Sequence, residues 1–70
     1  MKLTLKAWRQ AREKTQGDMA KVCNVHINTY RRWERDPGDM PVDKAVAVAD
    51  CLQIRLDDIF LPNYTTQNSN

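Results

Sequence analysis

The sequence predicts an all-α domain built from five short helices. Apolar residues recur at helical spacing in five segments, and no segment shows the strict apolar–polar alternation of a half-buried strand. Turn-forming residues separate these segments by short connections, as in N-V-H at 24–26 and D-P-G-D at 36–39. Because the chain has only 70 residues, we expect one domain over residues 1–61 and a polar tail over residues 62–70.

The first helix is predicted over residues 4–13. Thr4 is a suitable N-cap, because its hydroxyl can accept a hydrogen bond from a free backbone N–H of the first turn. Leu5, Trp8 and either Ala11 or Arg12 follow at helical spacing and form one stripe. We therefore expect this stripe to face the rest of the domain.

The second helix is predicted to begin after Thr15. The segment T-Q-G-D has the form of a capping box, with Asp18 three residues after the cap. Asn24 enters the left-handed backbone conformation more readily than most residues and should end this helix. Its inner face is expected to consist of Met19, Ala20 and Cys23.

A third helix is predicted from Ile27 to Arg35, followed by a type II turn at D-P-G-D. Pro41 should start the fourth helix, V-D-K-A-V-A-V-A-D-C-L. The alternating valines and alanines could also form a strand, but it would be a lone strand, because no other segment shows period-2 patterning. A fifth helix should cover residues 56–61 and end at Pro62. The apolar positions of the fourth helix are taken as Val42, Ala45, Val46, Ala49 and Leu52.

Several functional classes are disfavoured by the composition. No apolar run approaches the roughly 20 residues that span a bilayer, and the N-terminus lacks the apolar core of a signal peptide, so we expect a cytoplasmic protein. Cys23 and Cys51 occupy helical apolar positions and are interpreted as core thiols. Cys23 and His26 form a C-x-x-H without a second ligand pair, and no nucleophile–base pair is evident. We therefore expect no metal, no cofactor and no enzymatic activity.

Charge is distributed unevenly along the chain. Residues 1–35 hold nine basic and three acidic residues, for a net charge of +6. Residues 36–70 hold two basic and six acidic residues, for a net charge of −4. This asymmetry favours an oriented interaction with a polyanion, although two differently solvated faces would show the same pattern.

The third helix should have two faces with different roles. Tyr30, Trp33 and Glu34 share one face, which should pack inward because two exposed neighbouring aromatics are unfavourable. The opposite face would then point outward on a rigid helix; it carries Ile27, Asn28, Arg31, Arg32 and Arg35. Asparagine can bind adenine bidentately and arginine can bind guanine in the major groove, while isoleucine can contact a thymine methyl. The pattern thus indicates recognition of duplex DNA.

The sequence resembles the phage-repressor, Cro-like (XRE-type) helix-turn-helix proteins. The resemblance covers about residues 3–61 and rests on T-Q at 15–16, M-A at 19–20, N-V-H at 24–26, R-R-W-E at 31–34 and Pro41. It implies a five-helix, lambda-repressor-like domain that binds double-stranded DNA, usually as a homodimer. A phage-type repressor acting on a palindromic operator is therefore the expected function.

The resemblance also implies roles for individual residues. Gln16 matches a glutamine that binds a phosphate and braces the recognition helix, and Thr29 matches a residue that contacts phosphate. Ile27, Asn28 and Arg32 match positions that face base edges. Arg9 and Glu34 match a pair that forms a salt bridge, and Tyr30 and Trp33 are expected to be structural. Arg31 is either a phosphate contact or solvated, and Arg35 meets phosphate or water.

Some residues depart from the family pattern. Asn24 replaces a turn glycine, and His26 replaces a serine that caps the third helix. Asp36 and Asp39 would repel phosphate where glycine and basic residues are usual. An alternative function is a helix-turn-helix protein-interaction module, antitoxin-like or polymerase-binding, because some such domains have lost DNA contact and Asp57 and Asp58 offer an acidic surface.

Overall fold

The structure, a computed structural model, describes residues 3–60 and consists there of helices without strands. The predicted all-α class is thus confirmed. The five α-helices are joined by short connections, and a single turn of 3-10 helix precedes the fourth. In chain order the helices are α1 (Leu5–Ala11), α2 (Gln16–Cys23), α3 (Ile27–Arg35), α4 (Val42–Leu52) and α5 (Leu56–Phe60), with the 3-10 helix at Pro37–Asp39.

Local side-chain caps determine where the first three helices begin. The Thr4 hydroxyl accepts a hydrogen bond from the Ala7 N–H at 3.1 Å. Thr15 and Asp18 form the complete capping box, with each side chain accepting a hydrogen bond from the other residue's backbone N–H. His26 caps α3 through Nδ1, which accepts a hydrogen bond from the Asn28 N–H at 3.1 Å. These caps satisfy N–H groups that have no partner within their own helices.

The connection between α2 and α3 is short because Asn24 takes the left-handed conformation, with φ 58° and ψ 45°. Its N–H and that of Val25 donate back to carbonyls of α2, at Lys21 and Ala20 respectively. This geometry ends α2 abruptly and sends the chain directly into α3. The predicted break at Asn24 is therefore confirmed.

The segment after α3 differs from the prediction. A type II turn needs a positive φ at Gly38, and no glycine in residues 3–60 has one. Instead, the Asp39 N–H donates to the Asp36 carbonyl and the Met40 N–H donates to the Pro37 carbonyl, so Pro37–Asp39 form a 3-10 helix. Met40 is buried and anchors the end of this segment in the core.

The buried face of α4 also differs from the predicted stripe. Ala45, Ala49 and Leu52 are buried as expected, and Val48 completes this face. Val42 and Val46 were predicted to be apolar core positions, but they are 66% and 49% exposed. Several stripes on an alanine- and valine-rich helix are similarly apolar, so packing against α2 and α5 decides which one is buried.

One core joins the helices. Its fully enclosed side chains include Met19, Tyr30 and Leu52, and Ile59 closes it from α5. Phe60 and Leu56 pack against the same core, so α5 covers the domain's own interior. The predicted extension of α5 to residue 61 and the predicted polar tail lie outside the described residues. Cys23 and Cys51 are free thiols. Among residues 3–60, no helix is long and apolar enough to cross a membrane.

Candidate nucleic-acid interface

The Glu34 carboxylate is the point at which α1, α2 and α3 meet. It forms an ion pair with the Arg9 guanidinium of α1, and both side chains are almost fully buried. Oε1 also accepts a hydrogen bond from Gln16 Nε2 of α2 at 3.0 Å. Oε2 accepts one from the Tyr30 hydroxyl at 2.8 Å, one turn earlier in α3. The buried charge is therefore both paired and hydrogen-bonded, as a stable interior requires.

This environment shifts the pKa values of the groups in it. Burial by itself would raise the pKa of Glu34, but hydrogen bonds from Arg9, Gln16 and Tyr30 outweigh burial and hold that pKa below its ordinary value. The hydrogen bond to Glu34 raises the pKa of Arg9 despite its burial. Burial, together with donation to Glu34, raises the pKa of the Tyr30 hydroxyl far above its ordinary value. All three groups thus keep their neutral-pH charge states.

Further hydrogen bonds extend this network toward the surface. Arg9 Nη1 donates to the Lys14 carbonyl at 2.8 Å, which ties α1 to the loop before α2. Gln16 Oε1 accepts a hydrogen bond from Arg31 Nε at 3.2 Å. The Gln16 amide therefore bridges a buried carboxylate and an exposed guanidinium, and both of those groups belong to α3. This bridging fixes the position of α3 against α2.

The outward face of α3 is polar and basic. Asn28, Arg31, Arg32 and Arg35 are exposed, whereas Tyr30 and Trp33 are buried on the opposite side. Ile27 and Thr29 are half-buried, and Ile27 packs against the core as well as reaching the surface. Ile27 thus belongs to the outward face only in part, because the first turn of α3 lies close to α2. A Cβ built on Gly17 would come within 4.0 Å of Ile27 Cδ1.

An open cleft of about 240 Å³ lies beside this face. The residues that line it are Lys6, Gln16, Arg31, Glu34 and Arg35. Lys6 comes from α1 and the two arginines from α3, so the fold brings a cation of one helix next to two cations of another. Because Arg9 neutralises Glu34 from within, the cleft presents positive charge to solvent.

Arg32 lies against the 3-10 helix and outside this cleft. Its Nε atom is 3.2 Å from Oδ2 of Asp39, and both side chains remain more than half exposed. The sequence suggested only that Asp39 would repel phosphate, and it missed this ion pair. The only signal in the sequence was that Asp39 follows Arg32 by seven residues. The two side chains come into contact only because the 3-10 helix Pro37–Asp39 turns back toward α3.

Arg12, named in the sequence only as a possible member of the α1 stripe, has internal contacts in the structure. Its Nε donates to the Leu52 carbonyl at the end of α4 at 2.8 Å, and its guanidinium lies 5.3 Å from the centre of the Trp8 ring. The guanidinium therefore satisfies a helix-terminal carbonyl and stacks on an aromatic face. The spacing of Trp8 and Arg12, one helical turn apart, was the available sequence signal.

Comparisons with known proteins agree with this geometry. A family described as helix-turn-helix matches residues 5–59. The chain is 31% identical over 51 residues to the transcriptional repressor RstR of the cryptic phage CTXphi from Vibrio cholerae serotype O1. That match covers 73% of this chain and 46% of the relative, so the chain spans about half the relative's length. No solved structure matches the chain significantly. The chain therefore belongs to the helix-turn-helix family.

Proposed function

We propose that this protein is a cytoplasmic, sequence-specific repressor of the phage type, which binds a palindromic operator in duplex DNA as a homodimer. The proposal rests on the way in which α3 is held rigidly against the rest of the domain. A buried, fully hydrogen-bonded carboxylate holds its inner face, and the opposite face presents Asn28 and Arg32 to solvent. The family and the relative also point to a regulator rather than an enzyme.

In this proposal α3 enters the major groove and its exposed side chains read bases. Arg32 donates to guanine, Asn28 binds adenine, and the exposed part of Ile27 contacts a thymine methyl. α2 crosses the sugar–phosphate backbone, as in other helix-turn-helix complexes. A helix held by a buried network loses little freedom on binding, which favours affinity.

Phosphate groups would be held by the cleft and its rim. Lys6, Arg31 and Arg35 supply positive charge there, and Thr29 offers a half-buried hydroxyl. Gln16 Nε2 donates one of its hydrogens to Glu34, so its second hydrogen remains available for a phosphate oxygen. These contacts carry no base information and should position α3 in the groove.

Homodimerisation would place two copies of α3 about one helical turn of DNA apart, on the halves of a palindrome. Repression would follow from occupancy of a site that RNA polymerase needs. Sedimentation of the protein alone and with operator DNA tests the stoichiometry. A complex with one protein chain per operator would contradict the homodimer.

The test of the proposal is a salt titration of binding to duplex DNA, first for the wild type and then for Arg32→Ala. We expect the logarithm of the wild-type association constant to fall steeply with the logarithm of salt concentration. Arg32→Ala should weaken cognate binding by about 1–3 kcal/mol and relax base preference at one position in each half-site. An equal loss on all sequences would instead identify Arg32 as a phosphate contact.

The alternative of a protein-interaction module gives a different result in the same titration. Such a module would bind duplex DNA weakly or not at all, without a steep dependence on salt. The acidic residues proposed for that role already have internal contacts. Asp58 accepts a hydrogen bond from the Arg55 N–H at 2.9 Å, and Asp57 pairs with the Arg55 side chain at 3.3 Å. The structure therefore offers this alternative no specific support.

A further inference from the structure

We propose that Asp39 determines specificity by orienting Arg32, so that the end of the guanidinium faces the bases. The proposal rests on the proposed DNA-reading function and assigns a role to a residue that does not itself touch a base. The proposal is based on the ion pair between Arg32 Nε and Asp39 Oδ2, which lie 3.2 Å apart. Asp39 is thus a positioning residue.

The guanidinium nitrogen of Arg32 that Asp39 approaches determines which of its other nitrogens can donate to DNA. A guanidinium can bind guanine through its two terminal nitrogens or through Nε and one terminal nitrogen. The closest approach of the carboxylate is to Nε, and within residues 3–60 no hydrogen bond engages the terminal nitrogens of Arg32. Asp39 therefore leaves the end-on pair of donors free for O6 and N7 of guanine.

The backbone that carries Asp39 is well fixed. Its N–H donates to the Asp36 carbonyl at 3.0 Å, Pro37 restricts the start of the 3-10 helix, and the next residue, Met40, is buried. A long arginine side chain on an exposed helix face otherwise samples many rotamers. A carboxylate on a fixed backbone attracts the guanidinium and reduces that sampling before DNA arrives, which favours one binding geometry.

The ion pair is too exposed to be explained by stability. Both side chains are more than half accessible to solvent, and exposed pairs of this kind contribute little to folding. A carboxylate at a DNA interface also repels phosphate, so its presence weakens nonspecific binding. Orientation and repulsion together predict a characteristic result: loss of Asp39 should lower discrimination between sequences without lowering nonspecific affinity.

The experiment compares Asp39→Asn with a matched control, Asp36→Asn. Asp36 lies three residues earlier and is also exposed, but its side chain forms no ion pair within the described part of the chain. Both substitutions remove the same charge from the same segment and preserve side-chain size. For each protein we would select preferred sequences from random duplexes and measure affinity for the preferred site, for variants at each base pair, and for unrelated DNA.

For Asp39→Asn we expect the preference for guanine at the Arg32 position to fall by about two- to fivefold, while affinity for unrelated DNA stays equal or rises. Asp36→Asn should change affinity for all sequences by the same factor and leave the preference intact. Circular dichroism and thermal unfolding would show that both variants fold like the wild type, as expected for exposed positions.

Three results would overturn the inference. Equal gains by Asp39→Asn on preferred and altered sites would show that Asp39 only repels phosphate. A stronger guanine preference in this variant would show that Asp39 competes with DNA for Arg32. If Arg32→Ala kept the wild-type base preference, Asp39 could have no effect through Arg32, although DNA binding itself would stand. Failure of the wild type to bind duplex DNA would instead overturn the proposed function.

Discussion

At the scale of single residues, Glu34 has more side-chain hydrogen-bond partners than any other residue of α3. It receives hydrogen bonds from Arg9, Gln16 and Tyr30, and its side chain is only 5% exposed. A carboxylate in such a position stabilises the native state only while its partners are present, because an unpaired buried charge is strongly unfavourable. This side chain therefore contributes to the orientation of α3, together with the buried Tyr30 and Trp33.

The first prediction concerns loss of this carboxylate. Glu34→Ala leaves the buried Arg9 guanidinium unpaired and the Tyr30 hydroxyl without its acceptor. We expect the free energy of unfolding to fall by about 3–5 kcal/mol, as for other broken buried ion pairs. Chemical denaturation monitored by tryptophan fluorescence measures this loss, since Trp33 lies in the core.

The matched control for this prediction removes both charges. Arg9→Met combined with Glu34→Met should be less destabilising than Glu34→Ala, because no unpaired charge remains in the interior. A Glu34→Ala protein as stable as the wild type would show that the ion pair is solvated in solution. If the double variant lost more unfolding free energy than Arg9→Met and Glu34→Met lose in total as single variants, the loss in Glu34→Ala could not be assigned to an unpaired charge.

The second prediction concerns acid. The folded state holds the pKa of Glu34 below its ordinary value of 4.5, so the unfolded chain binds this proton first as pH falls. The stabilisation is fully present above the unfolded pKa and disappears as pH falls through the folded pKa. Asp18 acts in the same direction, because hydrogen bonds from Thr15 lower its pKa. We therefore expect wild-type stability to decline below about pH 4.5.

Thermal unfolding of the wild type and Glu34→Gln between pH 7 and pH 3 measures the part of this decline due to Glu34. The stability advantage of the wild type should shrink as pH falls, because glutamine does not titrate. An advantage that stays constant down to pH 3 would show that Glu34 is not the titrating group.

At the scale of elements, the starts of α2 and α3 show how local chemistry prepares a surface. Each begins with a side-chain cap, and Gly17 lies in the first turn of α2. Gly17 has no positive φ, and an added Cβ would lie 3.7 Å from Thr15 Oγ1 and 4.0 Å from Ile27 Cδ1. The fold therefore has room for a side chain here, and glycine is not needed for conformation.

The third prediction follows from that space. Gly17→Ala should raise the free energy of unfolding by about 0.5–1 kcal/mol, because alanine restricts the unfolded chain and favours the helix. If the first turn of α2 approaches a DNA phosphate, the same variant should bind all DNA sequences more weakly, since a methyl group would stand between backbone N–H groups and phosphate. Thermal unfolding and DNA titration separate the two effects. A lower free energy of unfolding for Gly17→Ala would contradict the conclusion that the fold has room for a side chain at this position.

At the scale of the whole molecule, the fold gathers charges from separate elements on one side of α3. Lys6 of α1 lines the same cleft as Arg31 and Arg35 of α3, although Lys6 lies far from these arginines in the sequence. A polyanion bound there would release counterions from its phosphates. The salt dependence of binding therefore reports how many of these cations are used.

The fourth prediction applies this reasoning to single cations. Lys6→Ala and Arg35→Ala should each weaken binding similarly on all sequences and reduce the salt slope by about one. Arg55→Ala is the control, because Arg55 belongs to the acidic half of the chain and pairs with Asp57. An unchanged slope in both cleft variants, or an equal reduction in Arg55→Ala, would contradict the cleft as the phosphate site.

The sequence by itself determined the fold class, the bounds of α3 and α4, the capping box at Thr15 and the break at Asn24. These features depend on hydrogen bonds and periodicities within a few residues, so the local sequence contains all the information. The separation of α3 into an aromatic inner face and a basic outer face was predictable for the same reason.

Only the tertiary structure decided which residues of different elements meet. Packing selected Val48 over Val42 and Val46 for the core and left Ile27 only partly accessible. Contacts between elements also distinguished the three arginines of α3. Arg31 binds Gln16, Arg32 pairs with Asp39, and Arg35 joins Lys6 at the cleft. The sequence presents these arginines as similar, because a side chain's partner depends on how the helices are placed in space.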